Sequence, residues 1–300
     1  SPRTYARPGD KRIAWPLPEP FLNGGANARR VPRHQPAHAE AGRAAPGERE
    51  PVHIRVINPV ITRSWEEETR QAYSRASSPG TEISVVSLDW GTASIESYRD
   101  HALSVPDILS KVVAAQEAGA AAVIVDCMGD PGVHAARAPV AIPVIGPAEA
   151  TMHLAAILGH RFSVLTVLES RIPMMEDQVA RYGLTDRLAS VRAFNIPVLS
   201  LAEDPEGTLH AVVAAAERAV REDGAHVVIP GCTGLAGLAP RIQEGLAARG
   251  CEVPVPDPPS VAIRLAEALV ALGLSHSRRT YPKPGPKAHR WPGREDGQTG

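Results

Sequence analysis

Apolar and polar positions along most of this chain follow two periods in turn. Short runs at 53–58 (HIRVIN), 82–88 (EISVVSL) and 121–126 (AAVIVD) have the length and β-branched content of strands. Segments 65–76 and 104–118 instead repeat apolar residues at helical spacing, and Pro106 falls in the first turn of the second, where its missing N–H does no harm. A short strand at 142–145 and a helix at 148–158 follow. A second series then runs strand 162–167, helix 173–182, strand 191–194, helix 208–222, strand 226–230, helix 235–248, strand 252–255 and helix 261–272. Strands alternating with helices, the inner ones apolar on both faces, predict parallel sheet covered on two sides, an α/β fold.

The series repeats itself. GAAAVIVDCMG at 119–129 aligns without gaps to GAHVVIPGCTG at 224–234, six of eleven positions being identical at an offset of 105. At nearly the same offset IRVIN (54–58) resembles FSVLT (162–166), each ending in a small polar residue, Asn58 or Thr166. Two α/β halves, about 52–160 and 161–274, account for this. Chance likeness between two Ala/Val-rich strands explains the apolar matches but not the coincident Cys-x-Gly.

Charge sharpens the boundaries. The net charge of −1 hides nine Lys/Arg against five Asp/Glu in residues 1–51 and six against two in 275–300, with the acidic excess confined to 52–274. Both ends are Pro-rich and poor in large aliphatics, so each is expected to be disordered, a Pro/Arg-rich extension and a basic tail. A basic arm for an anionic partner is the alternative for 1–51, but its charges are not clustered. Nucleic-acid and membrane partners are not expected. The basic residues lie on no patterned helix, and no apolar run of 18 residues exists. Without a secretory signal at the start, the chain reads as soluble and cytoplasmic.

The three cysteines (127, 232, 251) fit neither a disulfide framework nor zinc spacing. Cys127 and Cys232 each follow an apolar strand and precede a glycine turn, at the strand ends where α/β sheets bind ligands. Next to a helix N-terminus a thiol pKa would fall from about 8.5 to about 7, and the N–H groups around Met128–Gly129 and Thr233–Gly234 would hold a developing enolate. A lone cysteine at a strand end is more simply an inert apolar residue. Two at duplicated positions, facing each other across a cleft, would instead give one thiol to each face of a substrate, an arrangement suited to stereoinversion. A disulfide between them competes with this reading, disfavoured in the cytoplasm. Cys251 has no counterpart and reads as structural.

These residues resemble hydantoin racemases of the Asp/Glu/hydantoin racemase superfamily over about 53–281. The likeness is carried by VINP at 56–59, GTASIES at 91–97 (similar to GPASIES), CMGDPG at 127–132 (similar to CFGDPG), IPVIG at 142–146 with EATMHL at 149–154, LGHRFSV at 158–164, GCTGL at 231–235 (similar to GCAGM) and AEALVALG at 266–273. The resemblance implies two pseudo-symmetric Rossmann-like lobes with the active site in the cleft between them. It implies a metal-free, cofactor-independent two-base mechanism by Cys127 and Cys232 on 5-monosubstituted hydantoins, a class that includes allantoin, and a homo-oligomer. The chain departs from the usual Asn-Pro-Asn-Thr at 58–62, from an aromatic at Met128 and from Ala at Thr233. Gly-Cys-Thr also resembles the amino-acid racemase branch, so an amino-acid racemase or related isomerase is the alternative, and a ligand-binding protein that keeps the fold is the non-enzyme alternative.

Asn58 and Thr166 would bond substrate carbonyls or shape local turns. Asp130–Gly132 would shape a turn and cap the next helix. Glu149 and His153 would make an i, i+4 surface pair, and His134 and His226 have no paired ligands for a metal. Glu96 reads as a loop or subunit-contact residue, and Trp65 and Trp90 as packing residues.

Overall fold

The structure is a computed structural model that describes residues 51–285. The expectations for 1–50 and for 286–300 lie outside the described residues. Among the described residues seven parallel strands form two sheets. In the first, β1 (Val52–Asn58), β2 (Thr81–Ser87), β3 (Ala122–Val125) and β4 (Val144–Ile145) lie in the order β2-β1-β3-β4. In the second, β5 (Phe162–Thr166), β6 (Leu188–Ala193) and β7 (Val227–Pro230) lie in the order β6-β5-β7. Thus β1, β2 and β3 correspond to β5, β6 and β7.

The fourth strand has a partial counterpart. Val123 N–H donates to the Pro143 carbonyl (2.9 Å), and Val228, at the 105-residue offset, donates to the Pro254 carbonyl (3.1 Å). The strand expected at 252–255 does not form beyond this bond, because Pro254 and Pro256 have no N–H to give a ladder.

Alternation sorts the side chains. Ile57, Val123 and Val125 face α2 (Tyr98–Glu117) and α3 (Val133–Ala136), whereas Ile54, Val56, Ala122 and Ile124 face the opposite side. In the second sheet Leu165 and Val228 face α6 (Pro205–Arg221) and α7 (Ala239–Ala247). Phe162, Val164, Val227 and Ile229 face α5 (Ile172–Arg181) and α4 (Pro147–Leu158). The chain therefore crosses over. α4 closes the first half in sequence but covers the second sheet with Ala148, Met152 and Ala155. α8 (Pro258–Ala271), the last helix, lies with α1 (Glu66–Ala76) on the first sheet, packing Ala262, Ile263 and Ala266 against Ile54, Val56 and Ile124. Each half is covered by the other's final helix.

Two further expectations are corrected. α2 begins at Tyr98, not near 104, because Ser97 caps it by accepting the Asp100 N–H (3.1 Å) while its own hydroxyl donates to the Asp100 carboxylate (2.7 Å). Pro106 is therefore inside the helix. The tail expected to be disordered from 275 is docked as far as Tyr281. His276 Nε2 accepts the Val144 N–H (2.8 Å), Arg278 donates to the carbonyls of Ala138 (2.9 Å) and Val140, and the Tyr281 hydroxyl accepts from Arg137 (3.2 Å). Among the described residues no helix is long and apolar enough to cross a membrane.

Candidate functional site

The carboxyl ends of β1, β3, β5 and β7 carry, in order, Asn58, Asp126–Cys127, Thr166 and Gly231–Cys232. After β3 the chain turns at once. Cys127 N–H donates to the Val125 carbonyl (2.9 Å), Asp130 N–H to the Cys127 carbonyl (2.9 Å), and the Cys127 thiol accepts the Gly129 N–H (3.3 Å). After β7, Leu235 N–H donates to the Cys232 carbonyl (3.1 Å), and Gly234 lies beside the Cys232 thiol as Gly129 lies beside Cys127. The Thr233 hydroxyl donates to the Asp126 carbonyl (3.3 Å), holding the second cysteine loop against the end of the first cysteine strand. Both cysteines are half-buried and unpaired.

The expected helix N-termini are absent. Only the four-residue α3 and the three-residue 3-10 turn Thr233–Leu235 follow the cysteines, so no macrodipole acts on either thiol. Burial dominates instead. It pushes Cys127 up to about 11, against Arg171 and the Gly129 N–H, and Cys232 up to about 12, against the Gly234 N–H and Arg171. A charge on Cys127 raises Cys232, so the two thiols sense each other.

Asn58 and Thr166 are 3% and 0% exposed, and their side-chain oxygens and the Asn58 amide nitrogen have no protein partner. Buried polar atoms of that kind cost about 1–3 kcal/mol each unless a ligand or water satisfies them. Met128 buries its side chain among Met152, Phe162 and Met175, so its backbone, the part expected to act, is what it can offer the site.

Three residues were not anticipated. Arg171, in the 3-10 turn Glu169–Arg171 after β5, is 3% exposed and acts on both thiols. The 108-residue offset between β1 and β5 pairs it with Arg63, and that recurrence is the signal that marks it. Asp126 stands where the other half has Gly231. Burial pushes its carboxyl up to about 7, although the Tyr73 hydroxyl donates to it (2.8 Å). His101 of α2 faces Gly129, and burial holds its pKa down.

Other expectations change as well. Asp130 caps α4 and not the short helix that follows it, accepting from Ala148 N (3.1 Å), Glu149 N (2.8 Å) and the Tyr182 hydroxyl (2.5 Å), and burial pushes its carboxyl up to about 6. Glu149 pairs with Arg137 (2.5 Å), while His153 Nδ1 meets the Glu149 backbone carbonyl (2.8 Å). Glu96 accepts the Val198 N–H (2.7 Å), tying the 91–97 loop to the second half. Trp90 is 61% exposed and packs no core. Cys251 is buried in the core beneath α6 and α7. Among the described residues no three His, Cys, Asp or Glu side chains are grouped to hold a metal ion.

The sequence model of the Asp/Glu/Hydantoin racemase family matches residues 54–266. A hydantoin racemase from Pseudomonas sp. (strain NS671) is 38% identical over 237 residues, 79% of this chain and 93% of the relative. Another from Rhizobium meliloti is 36% identical over 79% of this chain and 97% of its own length. Among solved structures, allantoin racemase from Klebsiella pneumoniae superposes with a TM-score of 0.75 at 36% identity, over 80% of this chain and 97% of that one.

Proposed function

The chain belongs to the Asp/Glu/hydantoin racemase family, and we propose that it racemises 5-monosubstituted hydantoins, allantoin among them, by proton transfer between Cys127, Cys232 and the ring carbon C5. It is a racemase, an isomerase that needs no group beyond its own side chains in this reading. The observation that carries the mechanism is the meeting of the two duplicated cysteine loops at the sheet ends, held by the Thr233–Asp126 bond.

The C5 hydrogen lies beside a ring carbonyl, so its removal leaves an enolate and not a bare carbanion. One cysteine, as thiolate, takes the proton, and the C–H pair moves into the carbonyl. The opposite thiol then returns a proton to the other face, and the two cysteines end with their protonation states exchanged. We assign the backbone amides of Met128–Gly129 and Thr233–Gly234 to the enolate oxygen. Asn58 and Thr166, whose buried polar atoms lack protein partners, are assigned to the ring carbonyls and N–H groups. The unpaired thiols suit a reducing cytoplasm, where we place the reaction, in a homo-oligomer.

The test uses a single-enantiomer hydantoin in D2O. With the parent protein either enantiomer of the hydantoin should lose its optical rotation and take up deuterium at C5. Cys127→Ser and Cys232→Ser should each lower kcat for racemisation by about 100-fold or more. Each variant should still exchange deuterium into one enantiomer only, opposite in the two. A single variant that racemises at the parental rate would refute the two-thiol assignment. Turnover of free aspartate or glutamate but not of hydantoins would move the chain to the amino-acid branch, a reading that the buried cation Arg171 favours as a partner for a substrate carboxylate.

A further inference from the structure

We propose that Arg171 is a positioning residue for both thiols, a fixed positive charge shared by Cys127, the enolate and Cys232 that holds the reaction's negative charge wherever it resides. The inference rests on the two-thiol reading above. Arg171 pairs with none of the described carboxylates, although it is 3% exposed. Its Nη1 donates to the Ile95 carbonyl (2.9 Å), and its Nε is buried without a partner. Its Nη2 lies 3.6 Å from the point that a Cβ on Gly129 would occupy, and Cys127 Sγ lies 3.5 Å from the same point. The bare face of Gly129 thus leaves guanidinium and sulfur bordering one small space. A buried cation with no anion is strongly disfavoured, so an anion that completes the site is expected.

The other charged and titratable groups facing this space are already engaged or neutral. Asp130 is taken up by the start of α4 and by Tyr182, and Asp126 accepts from Tyr73 and carries a raised pKa. Glu96 accepts the Val198 N–H, and Glu169, on the same turn as Arg171, accepts from Asn195 (3.4 Å). His101 is held towards its neutral form by burial, and Arg181 adds a more distant positive charge to it. What remains for Arg171 is Cys127 across the Gly129 space and, through the Thr233–Asp126 bond that holds the second cysteine loop against the end of β3, Cys232 beyond it.

The charge balance of the reaction fits this placement. One thiol loses its proton to water and becomes the thiolate. It takes the C5 proton while the C–H pair enters the carbonyl as an enolate oxygen, and the second thiol protonates C5 and is left as the thiolate. At every stage the cleft holds one negative charge, which moves between two sulfurs and an oxygen. Arg63, the counterpart of Arg171, is exposed and paired with Asp89 (2.8 Å), so only the second half turns its arginine inward.

The test reads the thiols of the full-length protein without substrate, so it is independent of whether hydantoins turn over. Alkylation by iodoacetamide is followed at Cys127 and Cys232 by mass spectrometry across neutral to alkaline pH, with Cys251 as the buried control. Arg171→Gln should slow both sites about tenfold at a fixed pH, the effect of raising each pKa by about one unit, and Arg171→Lys should recover much of the rate. In the parent protein, negatively charged iodoacetate should react faster relative to neutral iodoacetamide at Cys127 than at the same cysteine in the unfolded chain. That comparison decides the matter even if the glutamine variant does not fold. Unchanged alkylation rates in a folded Arg171→Gln protein would overturn the proposal, as would an iodoacetate preference no greater than in the unfolded chain. Unchanged thiol rates with a raised KM for a carboxylate-bearing substrate would instead make Arg171 a substrate anchor.

Discussion

Asp126 is a carboxyl group that folding makes a weaker acid. Burial outweighs the Tyr73 and Thr233 hydrogen bonds and carries its pKa up to about 7. The fold therefore favours the neutral form. That preference stabilises fully below the unfolded value of about 3.9 and is lost as pH rises through the folded value of about 7. Asp130 acts in the same sense up to about 6. The protein should thus lose thermal stability between about pH 4 and about pH 7. Asp126→Asn, which keeps an acceptor for Tyr73, should flatten that slope and gain on the order of 2 kcal/mol at the upper end. Calorimetry across the pH range checks it, and equal slopes in parent and variant would exclude the effect. At this scale the sequence reveals what recurs. Cys127 and Cys232 are legible because a thiol and a glycine appear twice at one offset, and Asn58 and Thr166 because they end matching strands. Arg171 and Asp126 are ordinary charged residues until tertiary packing removes their water, which no local pattern records. Met128 enters the site through its backbone alone, and that its side chain turns into the core beside Met152 and Met175 is a matter of packing that adjacency to a cysteine does not record.

The start of α4 shows how an element is fixed from a distance. Asp130, held at a positive φ of 45°, accepts both first-turn amides, and Gly146 passes so close that a Cβ there would stand 2.3 Å from the Asp130 carboxyl carbon. Asp130→Ala should cost about 2–3 kcal/mol through the lost cap and the stranded Tyr182 hydroxyl. Gly146→Ala should cost at least as much by steric conflict. In an Asp130→Ala background, however, Gly146→Ala should add little, because the obstructing group is gone. Urea unfolding of the four proteins measures the coupling, and strictly additive losses would disprove the contact. Strand positions were legible because a fully buried strand such as β3 reads as an unbroken apolar run. Element ends were less so. The true start of α2 depends on a serine and an aspartate outside the periodic stretch, and the failed strand at 252–255 on prolines that leave its apolar pattern intact.

At the scale of the molecule, the doubled α/β plan was legible from its repeat, while the crossing of the closing helices was not, since either sheet would accept the same apolar stripe. The charge boundary near 274 was also misleading. Arg278 is spent on the carbonyls of Ala138 and Val140, while the uncharged His276 and Tyr281 bind the Val144 amide and Arg137, so the first basic residue of the tail marks docking and not solvation. A chain ending at 274 should therefore be less stable than one ending at 285 by about 1–3 kcal/mol, measured as a lower urea midpoint, and equal midpoints would show the tail to be dispensable. The exchange of α4 and α8 reaches further, into ancestry. A free-standing half would have had a single helix of its own, α1 or α5, for one face of its sheet and would have had to borrow the second from a twin. Its form would have been a two-fold dimer with arms interlocked, the cysteine loops of the two copies brought together at the sheet ends. Joining two such genes end to end would have made the partnership permanent and left each copy free to diverge, one arginine turning outward and the other in.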